Sequence, residues 1–304
     1  MLQLPDLASP SPRIDFSYAA PEQTRLTRGI IRSVERVSGQ LKLKRLYEAN
    51  AAALENKGCF FTTAIDLMDL TIRIDHGSLF QPLPKGPTIF IANHPYGVLD
   101  GIVFTWLAQQ MRPETKVMAN AVLCRAPKAA QHLLPVDFAP TREAMKTNLA
   151  TRKAALDILA EGGSVGLFPA GGVATSQKPF GGPALDPPWS SFLAKLVRKS
   201  GASVVPLYFA GQNSRLFQIS SHFSYTMRLA LYFHETSRLM GKTIRVAVGE
   251  PVSAQFLAGL NGNDAVTRHL RHCTFNLAQK LNLPKNRQQN ADEHFTYPAR
   301  FGFQ

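Results

Sequence analysis

The sequence predicts an α/β fold: a single domain with a mixed, largely parallel central sheet flanked by helices, preceded by an N-terminal helical segment. Three observations carry that expectation. Short runs rich in β-branched and aromatic residues, at 88–92, 165–168 and 204–209, each stop at a Pro/Gly turn signal. Stretches of helical period lie between them, and such alternation belongs to a parallel sheet covered by helices. The 304 residues are 45% apolar, enough for a substantial core.

The elements follow in order. Residues 1–20, rich in Pro and Ser, read as a flexible N-terminal arm. N-terminal helices are expected over 21–70. From Pro21 to about Asn56, Leu26, Ile30, Val34, Val37 and Leu41 recur at helical steps to form an apolar face. Arg25, Arg28, Arg32, Arg36, Lys42, Lys44 and Arg45 surround that face. Such a helix lies in an anionic membrane interface or packs on its own domain, and different faces can do both. A second helix is expected over 59–70. The α/β domain is expected over 71–284, opening with an alternating edge strand, Thr71 to Asp75. After the strand at 88–92 come a helix from Gly101 to Gln110 and a short strand from Lys116 to Asn120. A loop then leads to Leu134-Pro135-Val136-Asp137. Helices at 141–162 and 190–200 alternate with the strands at 165–168 and 204–209. A late strand at 243–248 precedes a final helix at 264–281, with Asp264 as its N-cap. Residues 285–304 form a polar tail.

The segment with most chemistry is Asn93-His94-Pro95-Tyr96-Gly97-Val98-Leu99-Asp100, directly behind the strand at 88–92. Ligands commonly bind at strand ends in α/β sheets. A histidine there can take a proton near neutral pH, and a carboxylate can orient its ring and stabilise the imidazolium. The pair looks built to activate a hydroxyl. A turn histidine beside a helix-capping aspartate is the other reading of the same residues. Two further patterns carry less. Gly162-Gly163-Ser164-Val165-Gly166 fits the serine-hydrolase pattern, but a helix precedes it and a strand follows, the reverse of what that mechanism needs. His269, His272 and Cys273 have no matching second pair of ligands, so no metal site is expected.

Three strand-end segments occur in order: Asn93 to Asp100, Phe168-Pro169-Ala170-Gly171, and Gly211-Gln212-Asn213-Ser214-Arg215-Leu216-Phe217. Together they resemble the glycerophospholipid (1-acylglycerol-3-phosphate) acyltransferase superfamily, over roughly residues 40–255. They are most similar to its hemolysin-like branch, which includes lyso-ornithine lipid acyltransferases. The resemblance implies transfer of a fatty acyl group from a thioester to a lysolipid hydroxyl, with acyl-CoA or acyl-carrier protein as donor substrate and no bound cofactor. His94 is then the general base and Asp100 orients it, while Asn93 braces the turn. Phe168, Pro169, Ala170 and Gly171 form the acceptor-side turn. Backbone N–H groups near Gly171 and Gly172 are expected to meet the oxyanion. Asn213 and Arg215 are implied as headgroup or donor-phosphate contacts; Arg125 and Lys178 join them on charge and position alone.

Two departures from the broad pattern matter. Five residues separate His94 from Asp100 where four are usual, and Gly97 is expected to absorb the extra one in a bulge. The usual Phe-Pro-Glu-Gly-Thr-Arg reads Phe168-Pro169-Ala170-Gly171-Gly172-Val173, without carboxylate or arginine. That favours lyso-ornithine lipid as acceptor over the alternative, 1-acylglycerol 3-phosphate. A non-catalytic basic membrane-binding module is the reading from another class.

The formal charge of +13 calls for an anionic partner. No nucleic-acid-binding signature accompanies it, so no nucleic acid is expected. An anionic membrane surface and an acidic carrier protein are the expected partners. No apolar run reaches 18 residues and no signal peptide is recognisable, so the expected location is peripheral, on the cytoplasmic face of the membrane. Cys59, Cys124 and Cys273 are widely spaced and suggest a reducing compartment.

Overall fold

The computed structural model describes residues 17, 19, 23–37, 39–56, 60–121, 123–283 and 290–297. The expected arm falls almost entirely outside the described residues, as do Cys59 and much of the tail. The strands are β1 (Thr71–His76), β2 (Thr88–Ala92), β3 (Lys116–Asn120), β4 (Leu133–Val136), β5 (Ser164–Leu167), β6 (Thr175–Lys178), β7 (Gly181–Leu185), β8 (Ser203–Phe209) and β9 (Thr243–Val248). Seven form one sheet in the order β1-β9-β8-β2-β5-β3-β4. Every neighbouring pair in it is parallel except β8 with β9. The expected mixed, largely parallel α/β sheet is what forms.

The strand sequences explain their places. β2 and β8 are buried along their whole length because helices cover both faces of the sheet centre, so after their first residues, Thr88 and Ser203, they are apolar without alternation. β1, at an edge, is only partly covered. Phe90, Val205 and Val246 face a core shared with the helices Phe60–Leu67 and Val98–Met111. Ile89, Val165 and Tyr208 face the opposite core, with Arg142–Ala160, Phe192–Ser200 and Gly262–Lys280. Gly166 is small because a Cβ there would lie 2.8 Å from both Phe104 and Val117.

Several boundaries differ from expectation. The N-terminal helical stretch is three helices, Arg25–Val37, Gln40–Ala49 and Ala51–Asn56, broken where Gly39 takes φ 103°. Burial centres on Ile31, which lies outside the expected apolar face. Ile31 is buried against Ala230 and Phe233 with Val34 beside it, whereas Leu26, Ile30 and Leu41 are exposed. The helix expected from Gly101 begins at Val98, so Asp100 sits inside its first turn. The last helix begins at Gly262, with Asn261 and not Asp264 at the cap. The loop before Asp137 is an edge strand, β4, paired with β3.

The β6–β7 hairpin was not legible in the sequence, because its residues are polar and Gly-rich with no alternation. Side-chain amides secure it: Ser176 N donates to Gln218 Oε1 at 2.8 Å and Ala184 N to Gln212 Oε1 at 3.0 Å. The helices Arg215–Phe223, Tyr225–Ala230, Tyr232–Leu239 and Ala254–Gly259 are likewise additions to the expected elements.

Candidate functional site

The site lies where β2 and β5 end side by side. Their parallel register pairs Ile91 with Leu167. His94, just past β2, therefore meets Phe168, just past β5. The two rings stack with centroids 4.0 Å apart and planes 21° apart, and Phe104 supports Phe168 from below. Stacking fixes the imidazole plane.

The turn that carries His94 is pinned from four sides. Asn93, fully buried, behaves like one more residue of strand pairing: its Nδ2 donates to Phe209 O at 3.0 Å and its Oδ1 accepts from Phe209 N at 2.7 Å. The His94 carbonyl accepts from Ala174 N at 2.8 Å. The His94 backbone N–H donates to Asp186 at 3.2 Å. The Tyr96 hydroxyl donates to Ala210 O at 2.6 Å. Gly97 takes φ 90° and ψ −110° at the N-cap of Val98–Met111, so the extra residue is absorbed in the turn and not in a strand bulge.

Asp100 serves both readings that the sequence allowed. Its Oδ2 accepts from Tyr96 N at 2.8 Å, closing the turn as a first-turn carboxylate does at a helix start. Its Oδ1 lies 3.1 Å from His94 Nδ1. The two atoms are at hydrogen-bond distance but off the ideal line, and neither completes a well-directed bond. Asp100 is fully buried and the His94 ring is 17% exposed, so the far edge of the imidazole faces open space.

That space is a cavity of about 510 Å³. His94, Gly97, Phe168, Pro169, Ala170 and Gly171 all line it, as does Asn120 from β3. Other expected site residues are placed elsewhere. Asn213 is buried beneath the His94 turn and donates to Tyr96 O at 3.4 Å; it is a brace. Arg215 is exposed at the start of its helix and shares a separate depression with Asn213 and Arg238. Arg125 is exposed and donates to Ser17 O at 2.9 Å, outside the cavity lining. Lys178 is exposed at the end of β6, also outside the lining. The Gly171 N–H is already committed to Phe168 O at 3.0 Å, which removes it from the expected oxyanion donors.

Three buried charges at the site had no signal in the sequence. Asp186, at the end of the hairpin, also accepts from Trp189 Nε1 at 3.1 Å. Burial pushes its carboxyl above the usual range, against the pull of Trp189, Arg271 and His94. Glu235 caps the helix Arg215–Phe223 by accepting from Ser214 N at 2.8 Å, and also takes the Ser214 hydroxyl. Arg228, fully buried, stands directly behind the cavity wall formed by Val173 and three tyrosines. A lone charged residue carries no periodicity of its own, so only the folded chain reveals these placements.

The competing motifs resolve structurally. Ser164 is buried at the other end of β5 and shares a 2.7 Å hydrogen bond with Thr115. His269 contacts Cys273 at 3.3 Å while His272 turns to Asp292, and no group of three metal-binding side chains occurs among the described residues. Burial pushes the Cys124 thiol up to about 11, so it stays a thiol at neutral pH. No helix among the described residues is long and apolar enough to cross a membrane.

No curated protein matches the chain significantly. Among solved structures, the crystal structure of the 1-acyl-sn-glycerophosphate (LPA) acyltransferase PlsC from Thermotoga maritima is similar, with 13% identity and a TM-score of 0.48. That match covers 87% of this chain and 85% of that one. A family model described as Acyltransferase matches residues 76–210. The matched segment contains β2, β5, His94, Asp100 and the Phe168 turn, while Tyr225, Tyr232 and Tyr297 line the same cavity from outside it.

Proposed function

We propose that the protein is an O-acyltransferase that moves a fatty acyl group from an acyl thioester to the hydroxyl of a lysolipid. The observation that carries this reading is the His94–Asp100 pair: a partly open imidazole, 3.1 Å from a fully buried carboxylate, at the wall of a 510 Å³ cavity. In this mechanism His94 Nε2 takes the acceptor proton as the alkoxide attacks the thioester carbonyl. Asp100 holds Nδ1 and stabilises the imidazolium. The tetrahedral intermediate then collapses, and the thiolate leaves with a proton returned from His94. General-base help of this kind is worth on the order of 10²–10⁴-fold. No acyl-enzyme is needed, in keeping with the burial of Ser164 and the raised Cys124.

An apolar groove beside the cavity suits the acyl tail. Leu43, Leu46, Phe60, Phe61 and Leu133 line it, and it shares Val98, Gly101 and Leu123 with the cavity. The exposed Leu26 and Ile30, on a helix bearing Arg25 and Arg32, suit an anionic membrane surface at its cytoplasmic face. The acceptor we favour is lyso-ornithine lipid, supported by the absence of Glu and Arg from the Phe168–Val173 turn. The donor is acyl-CoA or acyl-carrier protein; the net charge favours an acidic carrier.

The test is label transfer from acyl-carrier protein and from acyl-CoA to lyso-ornithine lipid and to 1-acylglycerol 3-phosphate in parallel, with His94→Ala alongside. Label entering a diacyl lipid, and lost in the variant, is the expected result. Liposome binding without turnover on any pairing, unaffected by His94→Ala, would replace the enzyme with a membrane-binding module.

A further inference from the structure

Arg228 is an unusual residue to find fully buried. Its guanidinium donates to Thr175 Oγ1 at 2.6 Å, Ser221 Oγ at 2.8 Å, Val173 O at 2.6 Å and Tyr297 OH at 3.2 Å. The Tyr232 hydroxyl stands close enough to favour its charged form. The Phe217 and Tyr297 rings flank it, with its guanidinium carbon 4.8 and 5.3 Å from their centroids. Every one of these partners is neutral, and its buried Nε has no hydrogen-bond partner among the described residues. No ion pair among the described residues includes Arg228. An arginine stays protonated in a protein, so a full positive charge sits in a low-dielectric wall without a counter-ion among the described residues.

The wall faces the cavity that holds His94. Val173, Tyr225, Tyr232 and Tyr297 line that cavity. The Tyr232 ring packs against the His94 turn: a Cβ at Gly97 would lie 3.1 Å from it. The Tyr297 hydroxyl lies against the Phe168 turn, 2.6 Å from where a Gly172 Cβ would be. Burial pushes the Tyr297 hydroxyl above its ordinary range, so it is a neutral O–H at physiological pH and cannot neutralise Arg228. A phenol that accepts a hydrogen bond from a guanidinium is polarised to donate its own proton more strongly, and charge-assisted donors favour an anion.

We propose that this end of the cavity is an anion site, in which Tyr232 and Tyr297, backed by the buried charge of Arg228, hold a carboxylate or phosphate of the acceptor headgroup beside His94. The inference names the charge class of the acceptor and rests on the lysolipid reading above for its tail and hydroxyl. The missing counter-ion of Arg228 is then the substrate. Tyr232 and Tyr297 are binding residues, and Arg228 is a positioning residue that acts through them.

Equilibrium binding by titration calorimetry tests this without turnover. The ligands are three lipids with the same short acyl chain: 1-acylglycerol 3-phosphate, lyso-ornithine lipid and uncharged 1-acylglycerol. Hydrogen bonds to a charged group predict that the unmodified chain binds at least one acid roughly tenfold to a hundredfold tighter than the uncharged lipid. The acid preferred identifies the headgroup. The double variant Tyr232→Phe with Tyr297→Phe keeps the rings and the four other Arg228 acceptors or faces. It should cut the preference to below about threefold while leaving the uncharged lipid's affinity in place. Equal binding of charged and uncharged lipids, or a preference that survives in the double variant, overturns the proposal. A preference present without acyl transfer to any acceptor would strike the catalytic reading and leave the anion site standing. Transfer without preference would do the reverse.

Discussion

The described residues contain two histidine–carboxylate ion pairs at nearly the same separation. His94 Nδ1 lies 3.1 Å from Asp100, and His272 Nε2 lies 3.0 Å from Asp292. Distance alone does not tell them apart. Asp100 is fully buried, its other oxygen is bound to Tyr96 N, and the His94 ring is held flat on Phe168. Asp292 is 70% exposed and His272 36% exposed. An exposed pair is screened by water and spends side-chain entropy to stay in contact, which leaves roughly 0–1 kcal/mol. A buried carboxylate on a fixed turn has already met those costs in folding, so its full effect acts on the ring beside it.

Substitutions can break that contrast. The largest effect is expected from His94→Ala, which should lower kcat for acyl transfer by about 10³-fold, within the usual range for a general base, with the thermal midpoint little changed. Asp100→Asn comes next. An amide can still accept from Tyr96 N but cannot stabilise an imidazolium, so kcat should fall by on the order of 10²-fold. Unaltered rates in single-turnover measurements would make Asp100 a cap and nothing more. Gly211→Ala attacks the same turn from below. Gly211 has φ 120°, and a Cβ there would run into the Tyr96 hydroxyl that bonds Ala210 O. A loss of about 1–3 kcal/mol in denaturant unfolding is expected. Smallest is His272→Ala, whose kcat should stay within about twofold of the parent. A large loss there would show that distance, and not burial, sets the function of these pairs.

A second contrast concerns the turn at Phe168. The sequence departs from the resembled pattern by placing Val173 where an arginine is usual. In the folded chain the Val173 carbonyl is bound by Arg228, which arrives 55 residues later from the helix Tyr225–Ala230. A cation absent from a motif is therefore present at the same turn, carried by a different element.

Local chemistry made much of this molecule readable before folding. The runs at 88–92, 165–168 and 204–209 are strands because unbroken β-branched and aromatic residues suit a sheet covered on both faces, and a Pro/Gly signal stops each one. Their alternation with helical periods implied the α/β sheet, and the presentation of His94 at a strand end followed from the same punctuation. Apolar periodicity found the N-terminal helices but not which face turns inward. Ile31 and Val34 point to the domain while Leu26 and Ile30 stay exposed, and that choice depends on where Ala230 and Phe233 lie.

What tertiary structure alone decided has one physical character: long-range pairing of polar groups. The β6–β7 hairpin depends on the amides of Gln212 and Gln218, the His94 turn on Asp186, and the Ser214 cap on Glu235. Charge and position along the chain single out Arg125 and Lys178 and not Arg228, yet Arg228 is the one of the three that ends behind the cavity wall. Hydrophobic pattern is periodic and can be read from neighbours in sequence. The position of a single buried charge is not, because its partners come from elements that meet only when the core closes.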